Sequence, residues 1–164
     1  MKITAATPDD FMAIYEFVGT FDKLVQLPRH FYRVMLLHFG DSVFIARDHG
    51  AIVGFSLGFV SQRHPDVFFM YQIGVIGPYR GQGIAKELIR HAEDYAREHG
   101  CTRMWGTVET GNVQSQRFFE KLGCRNVSGP EYGDVVVENG KRALRDYYGT
   151  GTNQILYEKK VASR

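Results

Sequence analysis

The chain opens on "MKITAA", where apolar and polar positions alternate as on a half-buried strand. The period then changes. In "TPDDFMAIYEFVG", Thr7 is placed to cap a helix, Pro8 suits its first position, Asp9 and Asp10 fall in the first turn, and Phe11, Ile14, Tyr15 and Val18 recur at helical spacing. "PRHFYRVMLLHFG" predicts a second helix ending near Gly40, with Phe31, Met35 and His38 on one face. His38 reads there as a partly buried structural histidine rather than a catalytic one. "SVFIARDHGAIVGFSLGFV" predicts two strands about an Asp48-His49-Gly50 turn, since glycine supplies the positive φ such a turn needs. "DVFFMYQIGV" is apolar on both faces, as a central strand should be.

A helix over residues 81–99 would bury Ile84, Leu88, Ala92 and Tyr95 and stop at Gly100. "TRMWGTVE" predicts a strand, and residues 112–122 a short helix closed by Gly123. Beyond residue 124, "VVVENGK" reads as a hairpin arm with an Asn-Gly turn, "RALRDYYG" as a helical turn and "QILYEKKV" as a last alternating strand. The order β-α-α-β-β-β-α-β-α-β-β combines hairpins with strand-helix-strand crossovers. It implies an α/β (α+β) fold with a mixed sheet flanked by helices. With no linker and no internal repeat, residues 1–164 read as a single domain.

Composition narrows the class. A hydrophobic share of 44% with 23% charged residues excludes a disordered chain. The net charge is only +2, and 20 basic residues are scattered among 18 acidic ones, so nucleic acid is not an expected partner. No apolar run approaches the roughly 20 residues that span a bilayer, and no signal peptide is visible; a cytoplasmic protein that does not engage the membrane is expected. Cys101 and Cys124 are too few for a disulfide framework and match no zinc spacing, so they read as reduced thiols, with no metal site.

The chemistry concentrates in "PYRGQGIAKELI", residues 78–89. A helix N-terminus presents unpaired amides and about half a positive charge, and glycines let an anion approach them. The spacing Arg80-x-x-Gly83-x-Ala85 follows a strand ending Ile73-Gly74-Val75. It lacks the Gly-Lys-Ser/Thr of a Walker loop and the downstream acid of a dinucleotide fingerprint. Taken alone, the glycines would serve a tight strand-to-helix turn equally well. A second element stands about 30 residues on: "NVQSQRFFEKLGC" holds Asn112, Ser115, Phe119, Gly123 and Cys124 after another strand.

With these two motifs in this order, the sequence resembles the GCN5-related N-acetyltransferase (GNAT) superfamily over roughly residues 42–128. The superfamily's loop reads Arg/Gln-x-x-Gly-x-Gly/Ala, followed later by Asn-x-x-Ala-x-x-x-Tyr-x-x-x-Gly-Phe. The resemblance implies a mostly antiparallel sheet and acetyl-CoA as cofactor. It implies that backbone of Ile73, Gly74 and Val75 pairs with the pantetheine arm like an added strand. The amides of Gly81, Gln82, Gly83, Ile84, Ala85 and Lys86, with the Arg80 side chain, would take the pyrophosphate. Asn112 would bond the pantetheine or hold the strand splay open, and a plain helix cap is the alternative, compatible with either; Ser115 stands in the same motif. Phe119 would line the channel or pack in the core, as would Leu122.

Two departures bear on mechanism. Phe119 replaces the tyrosine many members use as general acid, and Thr107 stands where some have a glutamate. A thiol of pKa ~8.5 leaves without much help. An amine of pKa ~10.4, however, is neutral in only about one molecule in 2,500 at pH 7, a handicap of roughly 4.6 kcal/mol. Glu109 and Tyr71, acting through water, are the candidate bases; the alternative reading of Glu109 is a surface carboxylate, and that of Tyr71 a packed aromatic. The Val75 amide would polarise the thioester carbonyl during direct attack by the amine, with no acetyl-enzyme.

Within the superfamily the run from residue 38 to 85 looks most like L-2,4-diaminobutyrate acetyltransferases. Tyr71 stands where that subfamily has tryptophan, and "GTGTNQ" lacks its His/Glu cluster. Only Asp22 and Glu109, with Tyr71, can be named as acceptor contacts. A small primary amine, diamino-acid-like or polyamine-like, is the expected substrate. "TFDKLVQLPRH" is long enough to cap the site. A protein N-terminal or lysine acetyltransferase and a non-catalytic CoA-binding module remain alternatives. Paired final strands often make dimers in this fold, which leaves room for a homodimer.

Overall fold

A computed structural model describes residues 1–149 and 151–162. Nine strands and four α-helices follow in the order β1 (Lys2–Ala5), α1 (Phe11–Val18), α2 (Arg29–Phe39), β2 (Val43–Asp48), β3 (Ala51–Val60), β4 (Val67–Val75), α3 (Ile84–Glu98), β5 (Arg103–Glu109), α4 (Val113–Lys121), β6 (Arg125–Asn126), β7 (Val135–Glu138), β8 (Lys141–Leu144) and β9 (Gln154–Lys160). They form one sheet in the order β1-β2-β3-β4-β5-β9-β8-β7, with β6 beside β9. Among the described strands only β4 and β5 run parallel; the other pairings are antiparallel. The fold is the mixed α/β arrangement expected, with helices on both faces of the sheet.

Local chemistry explains the elements. The Asp10 carboxylate accepts hydrogen bonds from the Thr7 amide (2.8 Å) and hydroxyl (2.9 Å), fixing a 3-10 turn that leads into α1. At the β2–β3 hairpin, Asp48 pairs with Ala51, and His49 (φ +46°) and Gly50 (φ +84°) both take the left-handed conformation of a two-residue turn. The core lies in two layers. Ile84, Leu88 and Ala92 of α3 pack on Phe68, Met70 and Met104. Ile14, Phe17, Tyr32 and Met35 of α1 and α2 cover Phe55 and Leu57 on the opposite face. α4 shares the α3 face, where Phe119 packs on Val108, Ile155 and Tyr157.

The tail departs from expectation. It holds four strands rather than two, and "RALRDYYG" forms no helical turn. Asn139 (φ +52°) and Gly140 (φ +75°) make a two-residue turn whose register sets Ala143 opposite Val136 and Leu144 opposite Val135. Both Ala143 and Leu144 are then buried, so hairpin packing overrides the local helical spacing. β6 is a two-residue strand set against Glu158 and Tyr157, too short to leave a periodic signal. On α2 the buried arc is Tyr32, Met35 and Leu36, which leaves His38 exposed rather than partly buried. α3 starts at Ile84, three residues later than expected, and Tyr95 is half-buried, stacked on His99 at 3.9 Å. Among the described residues no helix is long and apolar enough to cross a membrane.

Gly58 marks the tightest crossing of β3 and β4: a Cβ there would lie 2.4 Å from the Phe68 ring and 2.8 Å from the Phe69 carbonyl oxygen. Because a carbonyl cannot rotate away, Gly58→Ala is expected to cost about 1–3 kcal/mol, seen as a lower urea midpoint with an unchanged slope. Gly77→Ala, which meets nothing within 4 Å, is the control and should leave the midpoint nearly unmoved.

Candidate active site

The parallel ladder between β4 and β5 runs from Val67–Arg103 to Met70–Gly106 and stops there. Two features coincide with its end. On β4, the register against β3 jumps from Met70–Gly58 to Gln72–Leu57, which leaves Tyr71 as a bulge. On β5, Phe119 packs so closely that a Cβ on Gly106 would lie 2.7 Å from its ring. Beyond this point β5 is drawn toward α4: the buried Gln116 carboxamide donates to the carbonyls of Glu109 (3.1 Å) and Thr110 (2.8 Å). Asn112 caps α4, its Oδ1 accepting from the Ser115 amide at 3.2 Å, and its own amide donates to Glu109 at 2.9 Å.

Past Met70, therefore, β4 is paired with β3 only. The Ile76 amide donates to the Val53 carbonyl (3.1 Å), which fixes the antiparallel alternation. Gln72 and Gly74 turn their peptide groups toward β3, while Ile73 and Val75 turn theirs into the gap. The Val75 carbonyl accepts from Arg80 Nε at 3.0 Å, which orients the exposed guanidinium at the end of the gap.

At that end the chain enters α3 through Gly81 (φ +78°) and Gly83 (φ +83°), and a Cβ at either would meet nothing within 4 Å. The first helical bond is made by Glu87, to Gly83 at 3.0 Å; the amides of residues 81–86 have no backbone acceptor among the described residues. Six amides without backbone acceptors, beside an arginine and with open space at both glycines, have the chemistry to receive an anion. Arg80, Gly81, Gln82, Gly83, Ile84, Ala85 and Lys86 are thus gathered at one end of the gap.

At the other end the bulge sets Tyr71 and Gln72 on the same face, under the α1–α2 loop (residues 19–28). Phe21 of that loop lies over Gly74, where a Cβ would come within 2.9 Å of its ring. Tyr71 packs beside Phe31 (5.9 Å) and edge-on to Tyr148 (6.5 Å). The Tyr148 hydroxyl shares a 2.5 Å hydrogen bond with Thr107 Oγ1. Burial raises the Tyr71 phenol above its ordinary pKa. Tyr148 is pushed up to about 12, first by desolvation and against the Thr107 bond; although 42% of its surface is exposed, its hydroxyl is turned onto Thr107. Glu109 and Asp22 are exposed, and among the described residues neither makes an ion pair, with the other or with any cation.

Sequence reasoning missed Tyr148, Gln72 and Gln116. Gln72 had left a signal, a polar residue in an otherwise apolar central strand. Tyr148 had none, because its approach to Thr107 depends on the hairpin that replaces the expected helical turn.

A ladder splayed at mid-strand beside a glycine-lined anion seat has a counterpart among known families: residues 9–124 match the model of the Acetyltransferase (GNAT) family. The chain belongs to this family. Over 87 residues this GNAT chain is 40% identical to the L-2,4-diaminobutyric acid acetyltransferase of Streptomyces coelicolor, covering 49% of the chain and 51% of that protein. The chain aligns with 51%, 64% and 65% of the lengths of three such curated relatives. Among solved structures, the fold is similar to diaminobutyrate acetyltransferase EctA from Paenibacillus lautus, in complex with L-2,4-diaminobutyric acid and coenzyme A. That likeness has TM-score 0.74 and 22% identity, covering 99% of this chain and 96% of that one. It is also similar to Ard1 from Thermoplasma volcanium, with TM-score 0.79, 18% identity and coverage of 99% and 98%.

If the GNAT seat takes a diphosphate, Arg80→Ala removes a charge-assisted contact worth about 1.5–3 kcal/mol. Calorimetric titration with coenzyme A should show Kd rising about tenfold or more and losing part of its salt dependence.

Proposed function

We propose that the chain is an acetyl-CoA-dependent N-acetyltransferase acting on the primary amine of a small molecule by direct transfer in a ternary complex. The observation that carries this reading is the gap between β4 and β5. It joins an anion seat at the start of α3 to an aromatic cluster under the α1–α2 loop, with the Ile73 peptide group and the Val75 N–H turned into the gap between them and the Val75 carbonyl held by Arg80.

The residues fit the cofactor. Amides 81–86 and Arg80 would hold its diphosphate, and the Ile73 and Val75 backbone its pantetheine arm, much as a neighbouring strand would be held. When bound, acetyl-CoA supplies an activated acetyl thioester. The Val75 N–H, turned into the gap, is the donor available to the thioester carbonyl. Asn112 spends its Oδ1 on capping α4 and Phe119 is buried, so both act chiefly by shaping the gap.

Raised phenols at Tyr71 and Tyr148 stay protonated at neutral pH and serve as hydrogen-bond donors, not bases. Glu109, two residues along β5 from Thr107, is then the carboxylate to which the amine proton passes, through water. Neither cysteine suits an acetyl-enzyme: Cys101 is buried with Sγ directed to the Pro65 carbonyl, and burial raises Cys124 to about 11. The small-molecule reading rests on the loop that covers β4 and on relatives named for diaminobutyrate. L-2,4-diaminobutyrate therefore heads the acceptor panel.

A thiol-release assay over an amine panel tests the reading, with a small primary amine consumed and oligopeptides left largely untouched; turnover of peptides alone would defeat it. The rate should rise with pH as the amine deprotonates, with no fall from phenol ionisation below about pH 10. Glu109→Gln should lower kcat/KM about 10²-fold at pH 7, and less at pH 10, where more of the amine is already neutral.

A further inference from the structure

We infer that Gln72 is a positioning residue that, together with Tyr32, latches the α1–α2 loop over the acceptor end of β4 and so limits the size of amine the site admits. The inference rests on the acetyl-transfer reading above for its kinetic consequences, but not for its geometry.

Gln72 is 5% exposed, a carboxamide in the middle of a central strand, where it must find partners for both its ends. Its Nε2 donates to the Val25 carbonyl at 2.7 Å. Its Oε1 accepts from the Tyr32 hydroxyl at 3.3 Å, and that hydroxyl in turn accepts from the Leu27 amide at 3.3 Å. Tyr32 is wholly buried. One carbonyl and one amide of the loop are thus taken up by two buried side chains, one on β4 and one on α2. Between Val25 and Leu27, Gln26 ties the same stretch to α1, its Nε2 donating to the Tyr15 carbonyl at 2.8 Å.

Direction follows from the bulge. By adding one residue to β4 it turns Gln72 to the same side as Tyr71, so the latch and the acceptor aromatic are neighbours in sequence and share a face. With Val25 and Leu27 fixed, Phe21 is held against Gly74, a position whose lack of a side chain is needed for that contact. Phe21, Leu24 and Leu27 pack part-buried against the α1–α2 core, while Val25, whose carbonyl Gln72 holds, is 65% exposed and has little apolar burial to fix it. Hydrogen bonding to Gln72 and Tyr32 therefore fixes the stretch from Val25 to Leu27, beside the apolar packing of Phe21 and Leu24, and sets how closely that stretch covers β4.

Gln72→Leu removes both carboxamide bonds, and Tyr32→Phe removes the hydroxyl that joins Leu27 to Gln72 while keeping the ring. Hydrogen exchange of the loop amides, the Kd for coenzyme A, and KM and kcat for a small diamine and for the N-terminal amine of a tripeptide are the measurements. A lost hydrogen bond predicts Leu27 amide exchange about 5–20-fold faster in either variant. The small-amine KM should rise about tenfold with kcat changed less than threefold, the tripeptide should gain relative to the small amine, and the Kd for coenzyme A should stay within twofold. Unchanged exchange in a folded variant overturns the latch. Faster exchange with the same preference between the two amines overturns its role in acceptor size. Should Gln72→Leu fail to fold, Tyr32→Phe decides both points alone. A wild-type protein that binds coenzyme A yet acetylates no amine would end the acetyl-transfer reading and with it the role in acceptor size, while the exchange rates would still judge the latch.

Discussion

A peptide group withdrawn from water needs a hydrogen-bonding partner, and past Met70 β4 has a partner strand on one side only. That half-satisfied strand is the constraint around which the rest is arranged. Closing β5 onto it would complete the sheet and abolish the gap. What prevents closure is local: a bulge at Tyr71, the ring of Phe119 against Gly106, and the carboxamide of Gln116 drawing the end of β5 toward α4. None of these is an exotic feature. Together they leave a row of donors and acceptors with the spacing of a strand and no strand to meet it.

The two ends of that row differ in polarity. One carries the Arg80 guanidinium and six free amides, a setting for negative charge. The other is walled by Tyr71, Phe31 and Tyr148, with phenols held neutral by burial. To the extent that an amine is desolvated against these rings, the free base is favoured over the ammonium, because desolvation penalises the charged form. Part of the handicap of roughly 4.6 kcal/mol that a protonated amine brings at pH 7 can thus be offset by desolvation at this end, and Glu109 lies exposed nearby on β5.

Much of this was legible in the sequence, and the limits follow from physics. The β2–β3 hairpin, the central strand, α3 and its glycine seat announce themselves through periods of two and 3.6 residues and through glycines at positive φ. The tail did not, because β8 is held by its register against β7 rather than by any preference of its own residues. Tyr148 was hidden for the same reason: nothing near it in the chain tells of Thr107, its hydrogen-bond partner. Asn112 was read as cap or cofactor contact, and its Oδ1 bond to Ser115 settles the first without touching the second. Burial patterns reveal which face a residue takes, but a bulge such as that at Tyr71 shifts the faces of every later position by one, and no periodicity within β4 records it.

The place of β9 in the sheet has a kinetic consequence. Although the last of the described strands, it lies between β5 and β8, pairing Thr107 with Leu156 and Val108 with Ile155. The sheet cannot zip up in the order of synthesis: β5 must wait with one flank unpaired until a strand from the far end of the polypeptide threads in beside it. Contacts so distant along the backbone form slowly. The position of Thr107, and of the Tyr148 hydroxyl that meets it, therefore rests on a long-range pairing and not on any local hairpin.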